Sequence, residues 1–375
     1  MPGLYIHIPF CRQKCHYCNF FSIASKKYIN EIVQAIQTEV RSNSGFFNGS
    51  PLNTIYFGGG TPSLLSINQI NEIIDTAIAT FGIDPNAEIT VEANPDDLIN
   101  SWLQALSQTV VNRLSIGVQS FRNEDLTYLN RVHSANQAES AIQNALKYGF
   151  KNISIDLIYA IPTLDNEQWI ENINRALSYN IPHISAYALT VEPGTALDLF
   201  IKKGKYKQVE EEKVAEQFQI IMKIMAKSGY EHYEISNFAL PDRYSRHNKS
   251  YWSGESYLGC GPSAHSYNGF IRRWNVSNIS NYLKAVREGT TYYELEELTK
   301  NQQFNEYIMT ALRTMWGVDT EFVKKLFGND FATHLNNQLK KPLELGLILQ
   351  KNQKFILSDQ GKLFADGIAA ELFIS

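Results

Sequence analysis

Three cysteines within eight residues constrain this chain more than any other feature. Cys11, Cys15 and Cys18 stand in the spacing C-x3-C-x2-C, directly after an alternating apolar run over residues 4–10. Thiolate sulfur is the ligand of iron–sulfur clusters. Three thiolates on one short loop hold three irons of a [4Fe–4S] cube and leave the fourth open to a small chelating molecule. A structural zinc site asks for four ligands, normally with a distant second pair, and the one remaining cysteine, Cys260, stands alone. So few cysteines make no disulfide framework and fit a reducing compartment.

The 375 residues predict about two domains. With 44% hydrophobic and 19% charged residues the chain can bury a sizeable core. A net charge of -4 offers no general footprint for a phosphate backbone. The start of the chain lacks the pattern of a signal peptide, and no apolar run approaches the ~20 residues of a membrane span. The expectation is a cytoplasmic protein with no membrane span, transient association with a membrane surface being left open.

Apolar periodicity predicts helices over 29–40, 70–81, 137–148, 167–179 and 210–227, and strands over 54–57, 88–92, 113–118, 152–158 and 183–189. With the strand before the cysteines, these make six strand–helix units, an α/β pattern too short for an eight-fold barrel and suited to a partial, open (β/α)6 barrel. The cysteines, the run Gly58-Gly59-Gly60-Thr61-Pro62 and several unusual polar residues fall at strand ends, where the loops of such barrels converge on the active site. Residues 1–235 read as this core and 236–297 as a loop-rich connecting region. Residues 298–375 read as a small winged-helix-like domain, with a strand pair over 347–357. Its nine basic and eight acidic residues leave no basic face, so nucleic acid is not expected as a partner.

The glycine run follows a strand and precedes a helix, but matches neither a dinucleotide fingerprint nor a phosphate loop. Bare backbone there lets a ligand approach closely. Glu92 ends the next strand, positioned for a ribose hydroxyl or an amine. Gln119, Arg131 and Asp156 complete a set of polar groups suited to a zwitterion.

The C-x3-C-x2-C loop resembles the radical S-adenosylmethionine (SAM) superfamily. More closely, Tyr5-Ile6-His7-Ile8-Pro9-Phe10-Cys11, Gly58-Gly59-Gly60-Thr61-Pro62-Ser63, Val91-Glu92-Ala93-Asn94-Pro95, Gly117-Val118-Gln119-Ser120-Phe121, Arg131-Val132-His133 and Ile155-Asp156-Leu157-Ile158-Tyr159 together resemble the oxygen-independent coproporphyrinogen III oxidase family. The resemblance implies a [4Fe–4S] cluster on Cys11, Cys15 and Cys18. It implies SAM contacts at Tyr5, Tyr17, Gly59, Gly60, Thr61, Glu92, Gln119, Arg131, Asp156 and Ala188. Two departures matter: Phe20 stands where the oxidase has a fourth cysteine, and the chain lacks the oxidase's N-terminal extension. Both resemble the haem chaperone branch of the family, as does His247-Asn248-Lys249-Ser250-Tyr251-Trp252, which is similar to that branch's H-N-x-x-Y-W motif. The resemblance implies haem binding at His247 and transfer to an apo-haemoprotein acceptor, with coproporphyrinogen oxidation as the alternative function. His265 is a further candidate for either SAM or haem, and Cys260 reads as a packed apolar residue.

Overall fold

The computed structural model describes residues 2–374. Its first part alternates strand and helix: β1 (Gly3–Ile8), α1 (Ile29–Ser42), β2 (Leu52–Gly59), α2 (Ile67–Phe81), β3 (Ile83–Ala93), α3 (Asn100–Leu106), β4 (Arg113–Gln119), α4 (Asn123–Tyr128), α5 (Ala135–Lys147), β5 (Ile153–Tyr159), α6 (Asn166–Ser178), β6 (His183–Ala188), α7 (Ala196–Lys202) and α8 (Glu211–Lys227). Three of the helices start on a reciprocal cap: Ser66 with Gln69 on α2, Ser134 with Gln137 on α5, and Asp165 with Gln168 on α6. Each pairing satisfies otherwise orphaned N–H groups and fixes where the helix turns back from its strand.

Strands β1 to β6 pair in parallel and in chain order. Their outward residues pack beneath the helices; Leu4, Ile6 and Ile8 of β1 are fully buried. Alternation then turns Tyr5 and His7 to the inner face, where the Tyr5 ring stacks on Tyr56 of β2 at 6.2 Å.

After α8 comes β7 (Glu231–Glu234). Between its loops, the segment 236–297 carries five short strands and two helices: β8 (Asn237–Ala239), α9 (Arg246–Trp252), β9 (Tyr257–Cys260), β10 (His265–Tyr267), β11 (Ile271–Asn275), α10 (Ile279–Glu288) and β12 (Tyr293–Glu297). Strands β7 and β8 extend the sheet beyond β6, while β9 to β12 extend it beyond β1. The resulting order, β12-β11-β10-β9-β1-β2-β3-β4-β5-β6-β8-β7, leaves the sheet open as expected. These added strands are three to five residues long and rich in polar and aromatic residues, too short to show a period of two.

The remainder is α11 (Lys300–Leu312), β13 (Val318–Asp319), α12 (Thr320–Phe327), α13 (Asn329–Gln338), α14 (Lys340–Glu344), β14 (Ile348–Lys351), β15 (Lys354–Leu357) and α15 (Ala365–Glu371). The β14–β15 hairpin and β13 form a separate three-stranded sheet. Phe304, Ile308, Val323, Leu335 and Leu372 build a second core distinct from that under the large sheet. Among the described residues, no helix is long and apolar enough to cross a membrane.

Candidate functional site

The loops at the carboxyl ends of the parallel strands enclose a cavity of about 660 Å³. Cys11, Cys15 and Cys18 line it as free, half-buried thiols, together with Tyr17, Gly59, Gly60, Thr61, Glu92, Gln119, Arg131, Asp156 and Ala188. The donor set fits a cluster: the thiols share one loop, and the Arg131 guanidinium donates from Nη1 to Cys15 Sγ at 3.3 Å, placing positive charge where thiolates need it. Among the described residues no three His, Cys, Asp or Glu side chains converge on a single metal ion. A cube, which takes one thiolate on each of three irons, needs no such convergence.

The glycines serve the fold as well as the cavity. A Cβ on Gly60 would stand 2.5 Å from the Phe10 carbonyl, and one on Gly59 would strike the His7 ring at 2.6 Å. Gly59 also has φ +104, a conformation open to glycine. At the end of β4, Gln119 holds φ +66 although it is not glycine, and the β4–β5 register shifts just before it. Strain of this kind gathers at functional sites, where the surroundings over-determine it.

Besides Glu192, two carboxylates face the cavity. Glu92 accepts from the Tyr56 hydroxyl at 2.7 Å, and burial pushes its pKa up to about 7 despite that bond. Asp156 accepts from the Ser115 hydroxyl at 3.3 Å and is raised by burial to about 6. Each lies in the other's field, and the charge of Asp156 raises Glu92 further. A half-buried carboxylate pair held above its ordinary range is prepared for a cation. Arg131 supplies the opposite sign, with Nη2 donating to the Gly117 carbonyl at 3.0 Å and a buried Nε lacking a partner. The groups expected to suit a zwitterion are therefore brought together.

A second cavity, of about 1040 Å³, lies between the large sheet and the C-terminal domain. Tyr5 faces this cavity rather than the first. Trp252, Tyr257, Tyr267, Phe270 and Trp316 give it flat apolar walls, and its charged lining is mixed: Lys249, Lys354, Asp319 and an Arg272–Glu306 ion pair. Asn19 and Phe20 line both cavities.

Helix α9, which carries the His-Asn-x-x-Tyr-Trp run, forms the wall between sheet and appended domain. Ser245 caps it by accepting from the Asn248 N–H at 3.3 Å. His247 faces inward and is 1% exposed, so it reaches neither cavity. Its Nδ1 is hydrogen-bonded to the Thr54 hydroxyl at 2.7 Å and its Nε2 to the Tyr251 hydroxyl at 2.8 Å, while its ring stacks on Tyr56 at 4.9 Å. Burial lowers its pKa to about 3, so the imidazole is neutral and both nitrogens are engaged. On the opposite side, Lys249 lies 4.7 Å from the Trp316 ring and Arg313 lies 5.3 Å from Trp252.

The sequence from residue 5 to 176 matches the Radical SAM superfamily, and 298–364 matches the HemN C-terminal domain. Heme chaperone HemW of Bacillus subtilis is 36% identical over 98% of both chains, and heme chaperone HemW of Escherichia coli is 30% identical over 100% of this chain and 98% of its own. The chain belongs to the HemW family of radical SAM proteins. Among solved structures, coproporphyrinogen III oxidase (HemN) of Escherichia coli, described as a radical SAM enzyme, has a TM-score of 0.84 at 23% identity, covering 99% of this chain and 90% of that one. That likeness extends the shared fold through both domains.

Radical SAM membership brings a [4Fe–4S] cluster and SAM with it. In this HemW-family chain several cavity residues escaped the sequence reading of the site: Asn94, Ser115, Tyr187 and Glu192. Asn94 belongs to the Val91–Pro95 stretch, and its Oδ1 accepts from Arg131 at 2.5 Å. Ser115 and Tyr187 lie on strands β4 and β6, where a period of two names the inner face but no motif marks the residue.

Proposed function

We propose that the chain is a haem chaperone, binding haem and passing it to apo-haemoproteins, with a [4Fe–4S] cluster and SAM held in the adjoining cavity. One observation carries the haem reading: the aromatic cavity between the domains is walled by the helix bearing the His-Asn-x-x-Tyr-Trp run. Its volume stands at the upper end of the roughly 300–1,000 Å³ of ordinary ligand pockets, and flat apolar walls with cations suit a porphyrin with anionic propionates.

Cys11, Cys15 and Cys18 are the residues to hold the cluster. Tyr17, Gly59, Gly60, Thr61, Glu92, Gln119, Arg131, Asp156 and Ala188 surround the space for SAM. When bound, the cluster and SAM supply one-electron chemistry, and the protein supplies position and electrostatics. Glu92 and Asp156 neutralise the cationic parts of the ligand, Arg131 pairs with its carboxylate, and Tyr17 shields the cluster.

The test is a haem titration of the full-length protein beside an anaerobic assay with coproporphyrinogen III, SAM and a reductant. Stoichiometric haem binding without protoporphyrinogen formation is expected. Efficient turnover to protoporphyrinogen would replace the chaperone reading with the oxidase.

A further inference from the structure

Iron in a haem needs an axial donor, and three histidines lie close to the interdomain cavity. His247 is behind its wall with both ring nitrogens engaged. His7 lines the cavity, but it donates from Nε2 to the Phe21 carbonyl at 2.9 Å and its Nδ1 lies 3.2 Å from the Tyr5 hydroxyl. His265 differs from both. It lines the same cavity from β10, is exposed, and its ring has no hydrogen bond to any of the described residues. Burial of part of the ring, then the nearby Arg272, lowers its pKa, so at neutral pH it carries a lone pair.

The strand beneath His265 is rigid. Ser266 is 1% exposed and accepts from the Gly259 N–H at 3.0 Å, and β10 pairs on both sides, with β9 and with β11. A ligand on such a strand is preorganised. Tyr257 and Tyr267 stand on the same wall, and Lys249 and Trp252 line the cavity from α9. The Trp252 indole N–H is buried without a partner, a donor left over for a ligand's carboxylate. Lys249 and Arg272 also line the cavity, Arg272 as the partner of Glu306 on the same wall.

We propose that haem occupies the cavity between the domains with its iron on the His265 imidazole, and that His247 anchors α9 from behind. This rests on the haem reading above. The iron accepts the ring-nitrogen lone pair, the propionates meet Lys249, Arg272 and the Trp252 N–H, and the macrocycle lies among the aromatic walls.

The experiment titrates ferric haem b into the full-length wild type, His265→Ala, His265→Gly and His247→Ala, following the Soret band and the electron paramagnetic resonance of the iron. The wild type is expected to show a histidine-ligated iron. His265→Ala is expected to lose that signature and about tenfold or more in affinity, with an unchanged melting temperature because the side chain is exposed. Free imidazole is expected to restore the signature in His265→Gly. Wild-type spectrum and affinity in His265→Ala overturn the assignment, as does a thiolate-ligated iron, or loss of the histidine signature in His247→Ala alone. Absence of stoichiometric haem binding by the wild type overturns the haem reading itself, an outcome distinct from the other three.

Discussion

The guanidinium of Arg131 touches Cys15 Sγ and, through its other terminal nitrogen, Asn94 and the Gly117 carbonyl, so one side chain ties the cysteine loop to the ends of two strands. A hydrogen bond and a positive charge at a ligand sulfur raise a cluster's reduction potential. Arg131→Met is therefore expected to shift the reconstituted cluster to a more negative potential and to speed its loss in air, read by redox titration and by decay of the cluster's visible absorbance.

Protonation of Glu92 and Asp156 competes with any cationic ligand. Their pKa values stand at about 7 and about 6, and each must be ionised to hold a positive charge. SAM affinity is expected to rise as pH rises from 6 towards 7.5 and then to level, with proton release on binding in calorimetry run in two buffers at pH 6.5. In Glu92→Gln the rise should shrink and the affinity should fall. An unchanged pH profile in that variant would remove Glu92 from the site.

Those carboxylates also cost stability. A carboxyl whose folded pKa is raised contributes fully below its unfolded value near 4.5 and loses that contribution as pH rises to about 7. Glu92→Gln is thus expected to melt higher than wild type at pH 8, by about 1–2 kcal/mol after discounting for partial exposure, and to match it near pH 4.5.

His247 is held by Thr54 at one nitrogen and Tyr251 at the other, so His247→Ala leaves a cavity and deprives the buried Thr54 hydroxyl and the half-buried Tyr251 hydroxyl of that partner. A loss of about 2–4 kcal/mol is expected in urea denaturation. A near-neutral result would mean that α9 is fastened elsewhere.

Glu39 of α1 is wholly buried and accepts from the Gly261 N–H at 2.8 Å, Asn275 Nδ2 at 2.7 Å and the Tyr282 hydroxyl, bolting the β9–β11 extension to the barrel helices. Glu39→Ala should cost about 2–4 kcal/mol by stranding those donors, and Glu39→Gln less. Since burial raises the Glu39 pKa to about 7, wild-type stability should fall as pH rises from 4.5 to 7, and Glu39→Gln should flatten that slope.

Much of the first cavity was legible because its residues sit at strand ends in an ordered series of parallel units. Apolar periodicity located the strands, and the loops after them had nowhere else to converge. The partners of His247 were not legible, since Thr54 lies 193 residues away and no local pattern points to it. Glu39 was equally hidden: it reads as an ordinary polar position in an amphipathic helix, and its donors come from segments more than 200 residues later. The cavity between the domains was out of reach for the same reason. Its walls come from β1, α9, β10 and the C-terminal domain, which meet only through tertiary packing.

Phe20 is 66% exposed and belongs to the walls of both cavities. A molecule entering either one covers part of the same ring. Whatever factor a loaded cluster imposes on the affinity of the second cavity, a ligand in that cavity returns to the cluster side unchanged, because coupling between binding sites is reciprocal. Any coupling between a ligand in the first cavity and one in the second is then a single free energy, measurable from whichever side is easier to titrate.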